Sequence, residues 1–146
     1  MIDCEGQLQV NGVKETRLNK PIKAAITGRD GSRFALDADG KLWTWRGNSN
    51  GHLGQGDTNA RDVPTMVQAL KAEKVKQFSV YWNRVACTTE DNKAFVWGNC
   101  EAFGLSSKET TPTELNRRTW QISVGHSHSL MLDEGNAVFA IESKLW

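Results

Sequence analysis

At 146 residues the chain holds one ordinary domain with a sizeable core, and not two of typical size. Its 18 basic and 17 acidic residues leave a formal charge of +1 with no long run of one sign, which disfavours a nucleic-acid partner held by bulk electrostatics and reads as a solvated surface. No window approaches the length of a membrane span, and Met1-Ile2-Asp3-Cys4-Glu5 lacks the basic and apolar regions of a secretory signal, so no membrane is expected.

Six tryptophans and five phenylalanines against one tyrosine, with 13 glycines against three prolines, describe an aromatic, turn-rich chain and favour an all-β fold. Cys4, Cys87 and Cys100 are an odd number without a close Cys–Cys or Cys–His pair. They outline neither a disulfide framework nor a zinc site and read as small hydrophobes in a reducing, intracellular setting, cytoplasmic or nuclear. No cofactor or metal is expected.

Along the chain, an acidic residue followed by Gly or Asn precedes an apolar strand four times. The first corner is Glu5-Gly6, ahead of Gln7 to Val10. Strands Ile22 to Ile26 and Ser32 to Leu36 then lead to the corner Asp39-Gly40, the strand Leu42 to Trp45 and a glycine-rich stretch from Gly47 to Asp57, with Pro64 beyond. The segment from Asp62 to Val75 reads either as a short helix starting near Pro64 or as a strand from Thr65 to Gln68 followed by a turn. Strands Val75 to Val80 and Asn83 to Cys87 lead to Asp91-Asn92 and the strand Ala94 to Trp97. Trp120 to Val124, His128 to Leu132, the corner Glu134-Gly135 and a last strand to Ala140 complete the series.

Asp-Gly and Asp-Asn suit the left-handed positions of two-residue hairpin turns, so each corner joins two antiparallel strands. Successive corners at Gly6, Gly40, Asn92 and Gly135 stand 34, 52 and 43 residues apart, around the length of a four-stranded propeller blade. Leu42-Trp43-Thr44-Trp45 and Ala94-Phe95-Val96-Trp97 are apolar on both faces, as expected of sheets sandwiched between sheets. The organisation is a half unit over 1–20, units over 21–73 and 74–118, and a partial unit over 119–146, about three blades in one domain.

These residues resemble the RCC1-type repeat, whose pattern runs through a Gly-x-x-His-Ser turn, an apolar strand, Asp-Gly, a strand ending in Trp-Gly, and Asn-x-x-Gly-Gln-Leu-Gly-x-Gly. Gly28, Phe34 to Leu36, Asp39-Gly40, Trp45, Gly47-Asn48, Gly51 to Gly54, Gly56, Pro64 and Val67 carry the match, with Arg46 intruding between Trp45 and Gly47. A weaker copy holds Trp97-Gly98-Asn99, Phe103-Gly104-Leu105 and Pro112, and a third keeps Gly125, His128-Ser129-Leu130 and Glu134-Gly135. The resemblance implies β-propeller blades in an incomplete ring, because the closed ring usual in that family needs far more chain. Self-association of half units into one ring, completion by a partner chain, or membership of a longer protein each resolve this.

Four clusters are candidate sites. His126 and His128 with Asp133 and Glu134 offer acid–base or metal chemistry, but His128 falls on the repeat's own turn, where its side chain is expected to hold the turn. The glycines at 47, 51, 54 and 56 lack the Gly-Lys-Ser/Thr of a phosphate loop and serve tight turns. The cysteines lack an adjacent base, and no Gly-x-Ser-x-Gly supports a hydrolase. The fourth cluster is the one favoured for partner binding: the turns Gly28-Arg29-Asp30-Gly31, Tyr81-Trp82-Asn83-Arg84 and Gly125-His126-Ser127 fall on one propeller face. There Arg29, Asp30, Tyr81, Trp82, Arg84 and His126 supply the residue types that anchor interfaces. The competing reading packs Tyr81 and Trp82 between blades.

The resemblance implies a protein partner, a small GTPase in the founding member, and places Asp30 near an acidic residue that meets Ran. The leading expectation is a non-enzymatic interaction module. A guanine-nucleotide exchange factor is the alternative, against which stands the absence of an insertion long enough for the family's β-hairpin wedge. A propeller-type protein inhibitor is the third class.

Overall fold

The computed structural model describes residues 1–4, 6–7, 9–10, 13–14, 18–105 and 107–142. Glu5 and Leu8 of the first corner and the terminal Trp146 lie outside them. Two-residue strands β1 (Gln9–Val10) and β2 (Val13–Lys14) form a ribbon near the N-terminus. Three antiparallel sheets follow in chain order. The first runs β3 (Ile22–Thr27), β4 (Arg33–Asp37), β5 (Leu42–Arg46), β6 (Arg61–Met66). The second runs β7 (Val75–Tyr81), β8 (Arg84–Thr89), β9 (Ala94–Asn99), β10 (Lys108–Leu115), and the third has β11 (Thr119–Val124), β12 (His128–Asp133) and β13 (Val138–Glu142). The fold is all-β, and the sheets do not close into a ring.

Of the two readings of Asp62 to Val75, the strand followed by a turn is the one seen, with the strand starting at Arg61 and ending at Met66. Pro64 lies inside β6, and the only helical turn there is a 3-10 turn over Gln68–Leu70. A proline cannot donate to a ladder, so it is tolerated on an edge strand, and β6 is the edge of its sheet. Pro112 in β10, the edge of the second sheet, repeats the device.

Equivalent positions follow from register. Leu36 pairs with Leu42 and Phe34 with Thr44; 52 residues on, Thr88 pairs with Ala94 and Ala86 with Val96. In the third sheet the matching pairs are Leu132 with Val138 and Leu130 with Ala140. Arg46 is therefore no insertion. It occupies the position of Gly98 and takes the same left-handed backbone, φ 76° against 82°.

The corners are tighter in logic and longer in loop than two-residue turns. Asp37 N–H donates to Lys41 O and Gly40 N–H to Asp37 O, and Thr89 to Lys93 and Asp133 to Ala137 repeat the arrangement. This is a three-residue loop whose last residue is left-handed: Gly40, Asn92 and Asn136. In the third corner Asn136, not Gly135, holds that position.

The residue opening each corner had no place in the repeat pattern read from sequence. Asp37 Oδ1 accepts from the amides of Asp39 and Lys41, and Asp133 Oδ1 from those of Gly135 and Ala137. At the N-terminus Asp3 Oδ1 accepts from Gln7 N–H beside left-handed Gly6. The corner then hands the chain on: Gly6, Gly40 and Asn92 carbonyls accept from the amides of Ile22, Val75 and Thr119, which open the next sheet.

The core lies between sheets. Phe34, Leu36 and Leu42 meet Val75, Phe78, Val85, Cys87, Phe95 and Trp97, with Leu53, Val67 and Leu70 filling the junction. Ala86, Val96, Cys100 and Phe103 meet Ile122, Val124 and Met131. Each fully buried Leu or Phe contributes about 1.5–3 kcal/mol, so these junctions dominate over the charged rim.

Candidate functional site

Turns between the first two strands of each sheet converge. Thr27 pairs with Arg33 across a loop from Gly28 to Ser32, Tyr81 pairs with Arg84 across Trp82-Asn83, and Val124 pairs with Ser129. The two-residue turn forces Trp82 into the left-handed region at φ 54°, a strained choice for a bulky residue. Trp82 is 47% exposed, and the Arg29 guanidinium stacks 4.2 Å from its ring centroid. Arg29, Asp30, Asn50, Trp82 and Asn83 line a depression of about 170 Å³. On the other side of Trp82, Tyr81, Asn83, Arg84, Asn99 and His126 line a second of about 270 Å³.

Tyr81 meets His126 edge to face at 6.0 Å, and Arg84 Nη1 donates to the Gly125 carbonyl at 3.4 Å, so this part of the surface is shared by the second and third sheets. The six residues singled out for partner binding thus form one continuous face. Arg84 is half-buried, with Nε making no hydrogen bond among the described residues.

Asp30 is turned partly inward. Its Oδ1 accepts from Ser32 N–H, and its Oδ2 lies 2.9 Å from Nε2 of His52, a close approach without hydrogen-bond alignment. Partial burial acts to raise the Asp30 carboxyl, but Ser32 and then His52 outweigh it and hold it below the ordinary carboxylate range. His52 is fully buried, and burial pushes its imidazole below the ordinary value, with Asp30 opposing.

The Gly47 to Asp57 loop is structural. Asn48 organises it, accepting from Leu53 N–H and donating to the Asp57 and Asn59 carbonyls. Gly54, at φ 72°, lets the loop touch the next sheet: a Cβ there would stand 2.9 Å from Trp97 Nε1. That indole donates to the His52 carbonyl at 2.8 Å, tying the second sheet to the first sheet's loop. A Cβ on Gly98 would meet the Asn83 carbonyl at 2.0 Å. Trp45, the equivalent of Trp97, is equally buried, but its Nε1 has no acceptor among the described residues.

The acid–base cluster is taken apart. His126 packs on Tyr81, Asp133 caps the corner at the far end of β12, and Glu134 accepts from Asn92 Nδ2. His128 is exposed; its backbone carbonyl closes the turn by accepting from Gly125 N–H, and its Nδ1 lies 3.5 Å from the Ser127 hydroxyl in the same turn. Cys87 is buried with its thiol pushed far up by desolvation, and Cys100 is pushed up to about 11 for the same reason.

Residues 39–86 match the model of the Regulator of chromosome condensation (RCC1) repeat. The RCC1 domain-containing protein RUG3, mitochondrial, of Arabidopsis thaliana is 31% identical over 114 residues, covering 68% of this chain and 26% of that protein. Ras guanine nucleotide exchange factor C of Dictyostelium discoideum is 39% identical over 97 residues, 66% of this chain and 7% of that one. The crystal structure of Prp20p from Saccharomyces cerevisiae superposes with a TM-score of 0.70 at 17% identity, over 88% of this chain and 33% of that one. The chain therefore spans a third or less of each of these proteins. The chain carries an RCC1-type repeat over residues 39–86, and its described sheets are β-propeller blades that do not close into a ring.

Proposed function

We propose that the chain is a non-enzymatic protein-interaction module presenting the face built by Arg29, Asp30, Tyr81, Trp82, Arg84 and His126. The observation that carries this reading is Trp82, a large aromatic held half exposed on a strained turn and covered by one stacked guanidinium. A tryptophan needed only for blade packing requires neither the exposure nor the strain. Arg29 and Arg84 supply positive charge while the Asp30 carboxylate engages Ser32 and His52, which suits a partner segment bearing acidic side chains.

The partner class favoured by the comparisons is a small GTPase. One relative is named a Ras guanine nucleotide exchange factor, and Prp20p is described with binding properties toward Gsp1p. Regulation of nucleotide exchange is the second reading on the same support. The open ring is completed by self-association, by a partner chain or by further repeats of a longer protein, in an intracellular setting that fits three free cysteines.

Trp82→Ala tests the face. In capture assays against small GTPases loaded with GDP or GTP, the variant is expected to lose about tenfold or more in affinity with an unchanged melting temperature. Undiminished capture refutes the reading, and a variant that no longer folds assigns Trp82 to packing. Release of labelled GDP separates an exchange factor from a scaffold.

A further inference from the structure

Arg84 stands where the repeat does not need an arginine. By the register that matches Phe34 with Ala86 and Leu130, its counterparts are Ser32 in the first sheet and His128 in the third. Ser32 is fully buried and His128 is exposed, and each offers its backbone carbonyl to the glycine that opens its turn, Gly28 or Gly125. In the second sheet the turn closes through the ladder between Tyr81 and Arg84, and through the Asn83 carbonyl, which accepts from Asn99 N–H at 2.8 Å. The guanidinium builds none of this.

Its surroundings are polar and hold no acid. Nη1 donates to the Gly125 carbonyl at a long 3.4 Å, and Nε is closed off from water with no acceptor among the described residues. No carboxylate among them pairs with Arg84, and none lines the depression of about 270 Å³ that it forms with Tyr81, Trp82, Asn83, Asn99 and His126. Asn99 Oδ1 is taken by the Glu101 amide, which leaves the donor end of that side chain for a ligand. A half-buried guanidinium, shielded from water along one edge and balanced by no opposite charge, gains more from a carboxylate than an exposed one does. Nη1 keeps a second N–H and Nη2 has two, and together they form the parallel pair of donors that a carboxylate takes as a fork. The depression on the other side of Trp82 differs. There Arg29 lies on the indole and Asp30 brings a carboxylate into the lining, which disfavours a second one.

We propose that the depression at Arg84 is a carboxylate pocket, which seats one Asp or Glu side chain of the partner protein on the fork of Nη1 and Nη2, beside Asn99 and His126. The aliphatic stem of that side chain lies against Trp82. One cation balances one negative charge, whereas a phosphate dianion would leave part of its charge unpaired. The pocket rests on the reading of the face around Trp82 as an interaction surface, and it gives that surface a direction. The acid is read on the side of the third sheet, and Arg29 on the opposite side holds the indole in place.

Sodium acetate is the first probe, titrated into the full chain against sodium chloride at constant ionic strength, with the NMR signals of Arg84 Nε–H and the Trp82 indole N–H as readout. Both are expected to shift saturably with acetate and not with chloride. Read at the Trp82 indole, Arg84→Gln is expected to weaken acetate binding about tenfold or more, Arg84→Lys to recover only part of the loss, and Arg29→Gln to change it less than about twofold. Capped tripeptides with a central Glu, Gln or phosphoserine supply the second arm. The Glu peptide is expected to bind, the Gln peptide to bind about tenfold or more weakly, and the phosphopeptide no tighter than the Glu peptide. Signals that do not move, an Arg84→Gln chain that binds acetate as well as the wild type, or a clear preference for the phosphopeptide each overturn the pocket. If Arg84→Gln does not fold, the wild-type titration decides, because its two signals report on the site directly. Undiminished capture by Trp82→Ala, with acetate still moving Arg84, refutes the interaction face and leaves the pocket standing. Capture that needs Trp82 and ignores Arg84→Gln leaves the face intact and overturns the pocket as its acid-reading element.

Discussion

Trp45 and Trp97 form a matched pair in which chemistry and burial are the same and only the acceptor differs. Replacing Trp97 by Phe removes the indole donor and leaves the buried His52 carbonyl unpaired, a change expected to cost about 1–3 kcal/mol. In the isolated chain Trp45→Phe removes a donor that has no partner, so its cost is expected to be smaller by about 1 kcal/mol or more. Urea titrations of the two variants side by side check this, and equal losses would refute it. His52 gives a pH dependence of known sign. Burial depresses its imidazole below the ordinary value of 6.5, so the unfolded chain binds more protons than the folded one as the pH falls. Its contribution is complete above 6.5 and is lost as the pH drops toward the folded value. The melting temperature is therefore expected to fall more steeply between pH 7 and pH 5 in the wild type than in His52→Gln, and parallel curves would sink the argument. Trp82 and Arg46 share a left-handed backbone, but Arg46 merely stands where the second repeat has glycine.

The strands and corners were largely legible, because apolar runs on both faces and acidic–Gly dipeptides are local signals. What escaped was anything requiring a partner across the turn. Asp37 precedes the visible Asp39-Gly40 and belonged to no motif, yet its carboxylate accepts two amides and the Trp43 indole N–H while almost completely buried. Asp37→Ala is expected to destabilise the chain by about 2–4 kcal/mol, since three donors lose their acceptor together; a loss under 1 kcal/mol in a urea melt would show that the corner holds without it. The third corner was misplaced by one residue for the same reason: Asp133 fixes the loop length, and the left-handed position then falls on Asn136. Pro64 left the segment after Arg61 open between strand and helix, and edge position, a property of the sheet, decided it. Of the candidate site, residue types and turn positions were readable. The stacking of Arg29 on Trp82 and the pairing of Asp30 with His52 were not, because both join residues brought close only by the packing of successive repeats.

Among the described residues each core cluster joins sheets that are neighbours in sequence, so stability is a sum of sheets and junctions rather than of one central core. The second sheet has a junction on both sides, and β8 from Val85 to Thr89 and β9 from Ala94 to Gly98 are buried without interruption. The third has one junction, and residues on its other face stand in water. The Trp97-to-His52 hydrogen bond adds a polar rivet to the first junction, whereas the second is joined by Thr88 to the Trp120 carbonyl and Ser79 to the Val124 amide. Such a molecule opens from its end inward. Backbone amides of β12 and β13 exchange through local fraying, and those of β8 and β9 only when the chain as a whole comes apart. The exposed last sheet is then the part of the molecule with the least of its own stability to lose, and the most to gain from being covered.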